Sequence, residues 1–478
     1  MNLRSLLVLT LLGISFTSIA QRTVQQRTDS ISVLVKQYVN AKDVEKLYEL
    51  TAPSFRNAVT KENFRNVSES NLFPLGELKA LTYERSTENA LIYKADFATA
   101  PITVGIGLQA DDKIGAFFFQ PYVAPPKPKD ITTIASNNPM KTDFDKKVDS
   151  LAKAYIITAG TVGLSIGILK DGKEYFYAYG EASKTKHELP DANTIFELGS
   201  ITKTFTATIV ARAIDEKKIK LDDPVNKYLP DSIPALQFNN RMVTFKDLLN
   251  HTAAFPRMPT DYQDGRMDAN GITIYPVDKF FSFLKNLKLN REPGLKHEYS
   301  NAGFSLVSTI MQRIYNMSYE ELVNKFIGQP LGMKDTRVWI RAQDSVHYAK
   351  GYREDGSLHF YRNLPPIYQG AGGLRSTASD MLKYAAAQWG TADKKLNKAI
   401  QLTHDTTFRD NKFNIGMAWI YVKNGNREVM FHNGATGGFR SYLGVDPDQK
   451  VAVVMLANAA VETDKQGMAL MRYLTKDQ

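Results

Sequence analysis

The 478-residue chain contains no cysteine. This excludes a disulfide framework, a thiol nucleophile and a lipid anchor on cysteine. Its seven histidines form no H-E-x-x-H pair, and none lie close enough in sequence to suggest a local metal cluster, so neither a metal nor another cofactor is expected. A dinucleotide fingerprint is missing too: Gly370-Ala371-Gly372-Gly373 lacks the G-x-G-x-x-G spacing and follows Pro365-Pro366 rather than a clear strand, and it reads as loop backbone. The net charge of +10 is dispersed, with 60 basic residues among 50 acidic ones. Without an arginine-rich stripe, no nucleic-acid partner is expected. Beyond the first 20 residues no apolar run approaches the roughly 20 residues that cross a bilayer, so no membrane span is expected.

What is present is an ordinary globular composition, 43% hydrophobic and 11% aromatic, in a chain long enough for more than one core. Residues 1–20 have a basic start at Arg4, an apolar stretch over 6–16, and Ser18-Ile19-Ala20 before Gln21. That is the pattern of a secretory signal peptide, and it predicts export. A proline- and lysine-rich stretch beginning at Ala124-Pro125-Pro126 predicts an extended, exposed linker over 123–140. It separates a small α+β domain over 26–122 from a larger domain over 141–478. In the small domain, helical periodicity over 29–51 breaks near 40–43, and a short helix is expected over 60–68. Strands follow over 78–85, 90–97, 102–108 and 113–119. In the larger one Phe144, Val148, Leu151 and Tyr155 repeat at helical spacing. Strands are expected over 415–422, 428–432, 442–446 and 451–456, and a closing helix over 463–475.

Chemistry enters with Ser200-Ile201-Thr202-Lys203, then Tyr299-Ser300-Asn301, then His432-Asn433-Gly434. A serine and a lysine three residues apart share a helix face, so the amine can take the hydroxyl proton if burial lowers its pKa. The patterns recur elsewhere: S-x-x-K at Ser150, Ser183 and Ser282, Y-x-N at Tyr38 and Tyr361, and the K-x-G form of the third at Lys113, Lys170 and Lys423. Context selects Ser200, because it opens a mostly apolar run of helical length from Thr204, whose N-terminal dipole favours developing negative charge. Gly163-Leu164-Ser165-Ile166-Gly167 fits a nucleophile elbow, but it runs into Asp171-Gly172 and the alternating 175–179, a hairpin signal that makes Ser165 a strand residue. His251, at the end of an apolar helix, is read as a structural hydrogen-bonder outside the site.

The segments FELGSITKT (196–204), DLLNHT (247–252), HEYSN (297–301), PLGMKDT (330–336), GGLRSTASD (372–380) and HNGATGG (432–438) resemble, in order, the serine β-lactamase and penicillin-binding-protein family. The likeness is to its class C-like, peptidase S12 type branch. It implies a β-lactamase/transpeptidase-like α+β fold, an antiparallel sheet flanked by helices plus a helical region. The small first domain looks like an NTF2-like or DUF3887-type domain. For the site, the resemblance implies Ser200 as acylated nucleophile, with Lys203 and Tyr299 as catalytic partners whose division of the base role stays open. It further implies Asn301, His432 and Gly434 at the substrate and an oxyanion hole from the N–H groups of Ser200 and Ala435. His432 stands where many relatives carry lysine. A neutral imidazole grips a substrate carboxylate less well, which shifts the expectation from efficient β-lactamase toward esterase or D-peptidase. The implied enzyme is an exported serine hydrolase in the periplasm or outside the cell. Its substrate would be a small-molecule or peptide acyl donor, cell-wall peptides among them. The rival is a catalytically silent cell-wall binding or scaffold protein on the same fold.

Overall fold

Two compact units, Met1–Ala124 and Pro125–Gln478, make up the chain in the computed structural model. The structure describes residues 23–86, 90–122, 124, 127–262, 274–359 and 363–475; the expected signal peptide lies outside them.

In the first unit the helix Val24–Asn40 ends before Lys42, whose φ is +54, and Asp43 caps Val44–Glu49 by accepting from Lys46 N–H at 3.0 Å. The break falls where the Asn40-Ala41-Lys42-Asp43 sequence predicts it. Pro53–Ala58 adds a helix that a six-residue window shows no period for, started by proline at its first position. The strands Leu78–Ser86, Leu91–Phe97, Pro101–Leu108 and Ile114–Pro121 form an antiparallel meander in sequence order. Val35, Val39 and Leu47 of the helices join Tyr93, Val104, Ile106 and Ile114 of the sheet in its core.

The second unit is built on an eight-stranded antiparallel sheet. Its strands run in the order Phe408–Arg409, Asn414–Gly416, Trp419–Asn424, Arg427–Ala435, Arg440–Asp446, Val451–Ala457, Gly163–Lys170, Lys173–Gly180. The first hairpin thus joins the last strands, and the helical middle of the chain is an excursion between them. One face carries the terminal helices Asp143–Ile156 and Asp464–Leu474, where Phe144 packs between Tyr175 and Tyr473. The other face carries the helical region, with Phe205, Leu306, Tyr384 and Trp419 in its core. This is the α+β arrangement that the resemblance implies, an antiparallel sheet flanked by helices plus a helical region.

Three local features differ from the sequence reading. The strand expected over 415–422 is two strands, because Met417 and Ala418 turn in the left-handed region (φ +41 and +80) without the glycine or asparagine that announces such a hairpin. The expected linker is tied down near its end: Gly180 N–H donates to Ala135 O at 2.9 Å and Ala178 N–H to Asn137 Oδ1 at 2.7 Å, so residues 135–137 lie along the Lys173–Gly180 strand. Gln369–Gly372, read as loop, is a short helix. Ser165, as expected, sits mid-strand, with its hydroxyl on Asp191 O at 3.1 Å, and Asp171 (φ +52) and Gly172 (φ +72) make the expected hairpin turn.

Candidate active site

The strand Arg427–Ala435 is paired with Trp419–Asn424 only as far as Phe431, so on that side residues 432–435 have lost their neighbour. The turn Gly199–Ile201 packs into the gap. Gly199 has φ +51 and lies so near the strand that a β-carbon on it would stand 2.6 Å from Ala435 N. The Ser200 and Ala435 backbones therefore run side by side. Behind the turn, the helix Thr202–Asp215 is buried over its first twelve residues. Its threonine hydroxyls are satisfied internally, Thr204 to Ile201 O at 2.8 Å and Thr206 to Gly370 O at 2.7 Å, which lets a polar sequence fill a core.

Lys203, one turn after Ser200, is fully buried. Its Nζ lies 3.2 Å from Ser200 Oγ and donates to Asn301 Oδ1 at 2.8 Å and to Ala371 O at 2.5 Å. Burial, and secondarily the Arg257 guanidinium, hold its pKa well below the ordinary lysine value. From the opposite side Tyr299 Oη donates to Ser200 Oγ at 2.6 Å. Burial raises its phenol to about 12, against the Ser200 bond and Arg257, which act downward. Tyr299 is held at the start of a helix: Ser300 is the N-cap of Asn301–Tyr315 and accepts from Gly303 N–H at 2.9 Å. The same cap supplies Asn301 as the first helical residue, so Y-x-N delivers both side chains from one turn.

A cavity of about 440 Å³ opens on Ser200. Met258, Tyr262, Leu364 and Tyr368 give it an apolar wall, and Asn301 and Ala435 lie on its lining. Glu197 and Arg375, also on the lining, form an ion pair at 3.3 Å. His432 and Gly434, expected at the substrate, are not among the described lining residues. The His432 ring is 2% exposed with Nδ1 2.7 Å from Asn433 O, and burial, with Lys203 nearby, lowers its pKa to about 4. It is a neutral group behind the site, because its strand turns that side chain into the protein. Gly434 acts through what it lacks: a β-carbon there would lie 1.9 Å from Leu198 O and 2.4 Å from Ser441 Oγ, the hydroxyl that holds Leu198 O at 2.8 Å. Gly434→Ala is expected to push the Leu198-Gly199-Ser200 turn off the strand. Turnover should fall about 10²-fold, as for a misplacement of about 1 Å, with about 1–3 kcal/mol lost from overpacking. Kinetics and denaturant melts of the variant check both.

Arg257 and the cavity wall carried no signal in the sequence, since no motif marks a residue that acts by charge at a distance or by shape. Among the described residues no group of three or more His, Asp or Glu side chains could hold a metal ion. No helix among them is long and apolar enough to cross a membrane.

Known proteins resemble the chain over about two thirds of its length. Over 340 residues the chain is 24% identical to the D-alanyl-D-alanine-carboxypeptidase/endopeptidase AmpH of Escherichia coli K12, covering 67% of this chain and 86% of that protein. It is 27% identical over 351 residues to a beta-lactamase of Pseudomonas fluorescens, covering 66% and 94%. Among solved structures, a class C beta-lactamase superposes with a TM-score of 0.62 at 25% identity, covering 72% of this chain and 99% of the other. The D-alanine carboxypeptidase AmpC of Burkholderia cenocepacia gives 0.59 at 27%, covering 70% and 98%. Residues 144–474 match the family model described as Beta-lactamase, and the chain belongs to that family of beta-lactamase-related serine hydrolases.

Proposed function

We propose that the protein hydrolyses its substrate through an acyl-enzyme on Ser200. The observation that carries this is the placement of one hydroxyl between two proton carriers, Lys203 Nζ at 3.2 Å and Tyr299 Oη at 2.6 Å. A neutral amine has two N–H donors and one lone pair. Asn301 Oδ1 and Ala371 O take the two donors, which leaves the lone pair for the Ser200 O–H. Lys203 is accordingly the proton acceptor, and Tyr299, kept protonated by its raised pKa, is the donor. Ser200 Oγ attacks the acyl carbon as its proton passes to Lys203. The carbonyl oxygen becomes an oxyanion at the N–H groups of Ser200 and Ala435, and the leaving group departs with the Tyr299 proton, which Lys203 replaces. Water then reverses the sequence and frees Ser200.

The apolar cavity wall, the internally paired Glu197 and Arg375 and the neutral His432 favour substrates without a free carboxylate, so esters are the preferred class. The names of the relatives support D-alanyl peptides and β-lactams as further substrates of the same site. We further read residues 1–20 as an export signal, which puts the enzyme in the periplasm or outside the cell, and the first unit as an NTF2-like attachment. The test of the acyl-enzyme is mass spectrometry after incubation with a fluorophosphonate and a penicillin: one adduct per chain, on the peptide holding Ser200. An adduct elsewhere, or none with either reagent, defeats the proposal.

Because Lys203 must be neutral to act, the rate should rise with pH through its lowered pKa and then stay level into the alkaline range, where Tyr299 still holds its proton. Arg257 stands 5.4 Å from the Tyr299 ring centre and disfavours a second positive charge on Lys203. Arg257→Leu should therefore raise the lysine pKa and move the acid limb to higher pH. A pH profile of fluorophosphonate labelling checks the direction.

A further inference from the structure

We infer that His251 is the positioning residue for Tyr299, an inference that rests on the roles of Ser200, Lys203 and Tyr299 given above. His251 follows the short helix Phe245–Leu249. Its N–H donates to Leu248 O at 3.2 Å and the next N–H, that of Thr252, to Asp247 O at 2.8 Å, the paired bonds of a Schellman helix end. The residue after the cap in that motif is left-handed and is ordinarily glycine, whereas His251 occupies it at φ +58. For the turn alone glycine would be the easier residue.

What the histidine adds lies on its other side. Its carbonyl accepts the Glu298 N–H at 2.7 Å, and its Nδ1 accepts the Ser300 N–H at 3.0 Å. The residues before and after Tyr299 are thus both tied to His251. Its ring also lies on the Tyr299 ring, centroids 4.2 Å apart and planes 31° apart, with Phe304 at 4.9 Å and 44°. One residue thereby fixes the backbone on both sides of the phenol and one face of its ring, and the phenol oxygen stands 2.6 Å from Ser200 Oγ.

The ring is suited to a constant clamp. Since Nδ1 accepts an N–H, the bonding pattern assigns the proton of the neutral ring to Nε2, and an imidazolium would point a second N–H at that of Ser300. Burial and the nearby Lys203, His297 and His432 disfavour that cation as well. Nε2 has no hydrogen-bond partner among the described residues, so His251 serves Tyr299 by place rather than by proton transfer.

The test is a double-mutant cycle of His251→Gly with Tyr299→Phe, read by kcat and KM on a nitrophenyl ester and by fluorophosphonate labelling rate per active site. Glycine suits the backbone of residue 251 and keeps its carbonyl, so only the ring clamp is lost. His251→Gly should lower kcat about 10²-fold with KM within about threefold. In the Tyr299→Phe background the same change should cost less than about threefold, because the group it places is already gone. An equal loss in both backgrounds, or no loss in the first, overturns the inference. Tyr299→Phe with wild-type kcat would instead overturn the role given to Tyr299. His251→Asn, which also tolerates the left-handed backbone, replaces the glycine variant if that one does not fold.

Discussion

Ser200→Ala should take no label from a fluorophosphonate and lose turnover on every ester, D-alanyl peptide and β-lactam that the wild type accepts, by about 10⁵- to 10⁶-fold. The loss should fall on kcat, with substrate binding nearly intact. Ser200 is half-buried at the floor of the cavity, and the wall that would hold an acyl group belongs to Met258, Tyr262, Leu364 and Tyr368. Alanine removes the hydroxyl alone and leaves the turn in place, since that turn is held by Ser441 on Leu198 O and by Thr202 Oγ1, which accepts from Leu374 N–H at 3.1 Å. An unaltered melting transition beside the lost turnover would separate chemistry from folding. Labelling that persists at another residue would move the nucleophile and end the mechanism proposed above. Turnover across such a panel also decides against the silent scaffold, for which the wild type itself would show none.

The site was legible where it depends on local spacing. Ser200 and Lys203 lie one helical turn apart, and Tyr299 and Asn301 flank an N-cap serine; both arrangements follow from short-range geometry. The sheet order was legible because apolar strands at the two ends of the second unit must share one core. What the sequence concealed depends on long-range closure. His251 looked like a helix-end residue because its meaning lies in residues 298–300, which the fold brings to it. His432 looked like a substrate contact, but the direction its side chain takes from the strand was invisible until the strand was placed. The hairpin at Met417-Ala418 was hidden because ordinary residues hold left-handed angles there. Ala418 N–H donates to Leu249 O at 3.1 Å, and both residues are buried.

Lys203→Met is expected to lower the acylation rate about 10³-fold, the scale of a lost general base, and to change stability in a way that only a buried lysine can. The methionine fills a similar volume but leaves Asn301 Oδ1 and Ala371 O without this donor, a cost that does not vary with pH. The titration of Lys203 does vary. Its pKa in the folded protein lies well below the unfolded value of about 10.4. Between those two values the unfolded chain binds more protons at this residue than the folded one, so its contribution to stability rises with pH. At low pH the folded state must either bury the charge or expel the proton, and that penalty fades as the unfolded lysine also becomes neutral. The difference in unfolding free energy between wild type and Lys203→Met should therefore move in favour of the wild type as pH is raised from 7 to about 10. Denaturant unfolding of both proteins across that range measures it. A difference that stays flat would mean that Lys203 keeps an ordinary pKa in the folded state, and an ordinary lysine amine, protonated at pH 7, could not accept the Ser200 proton.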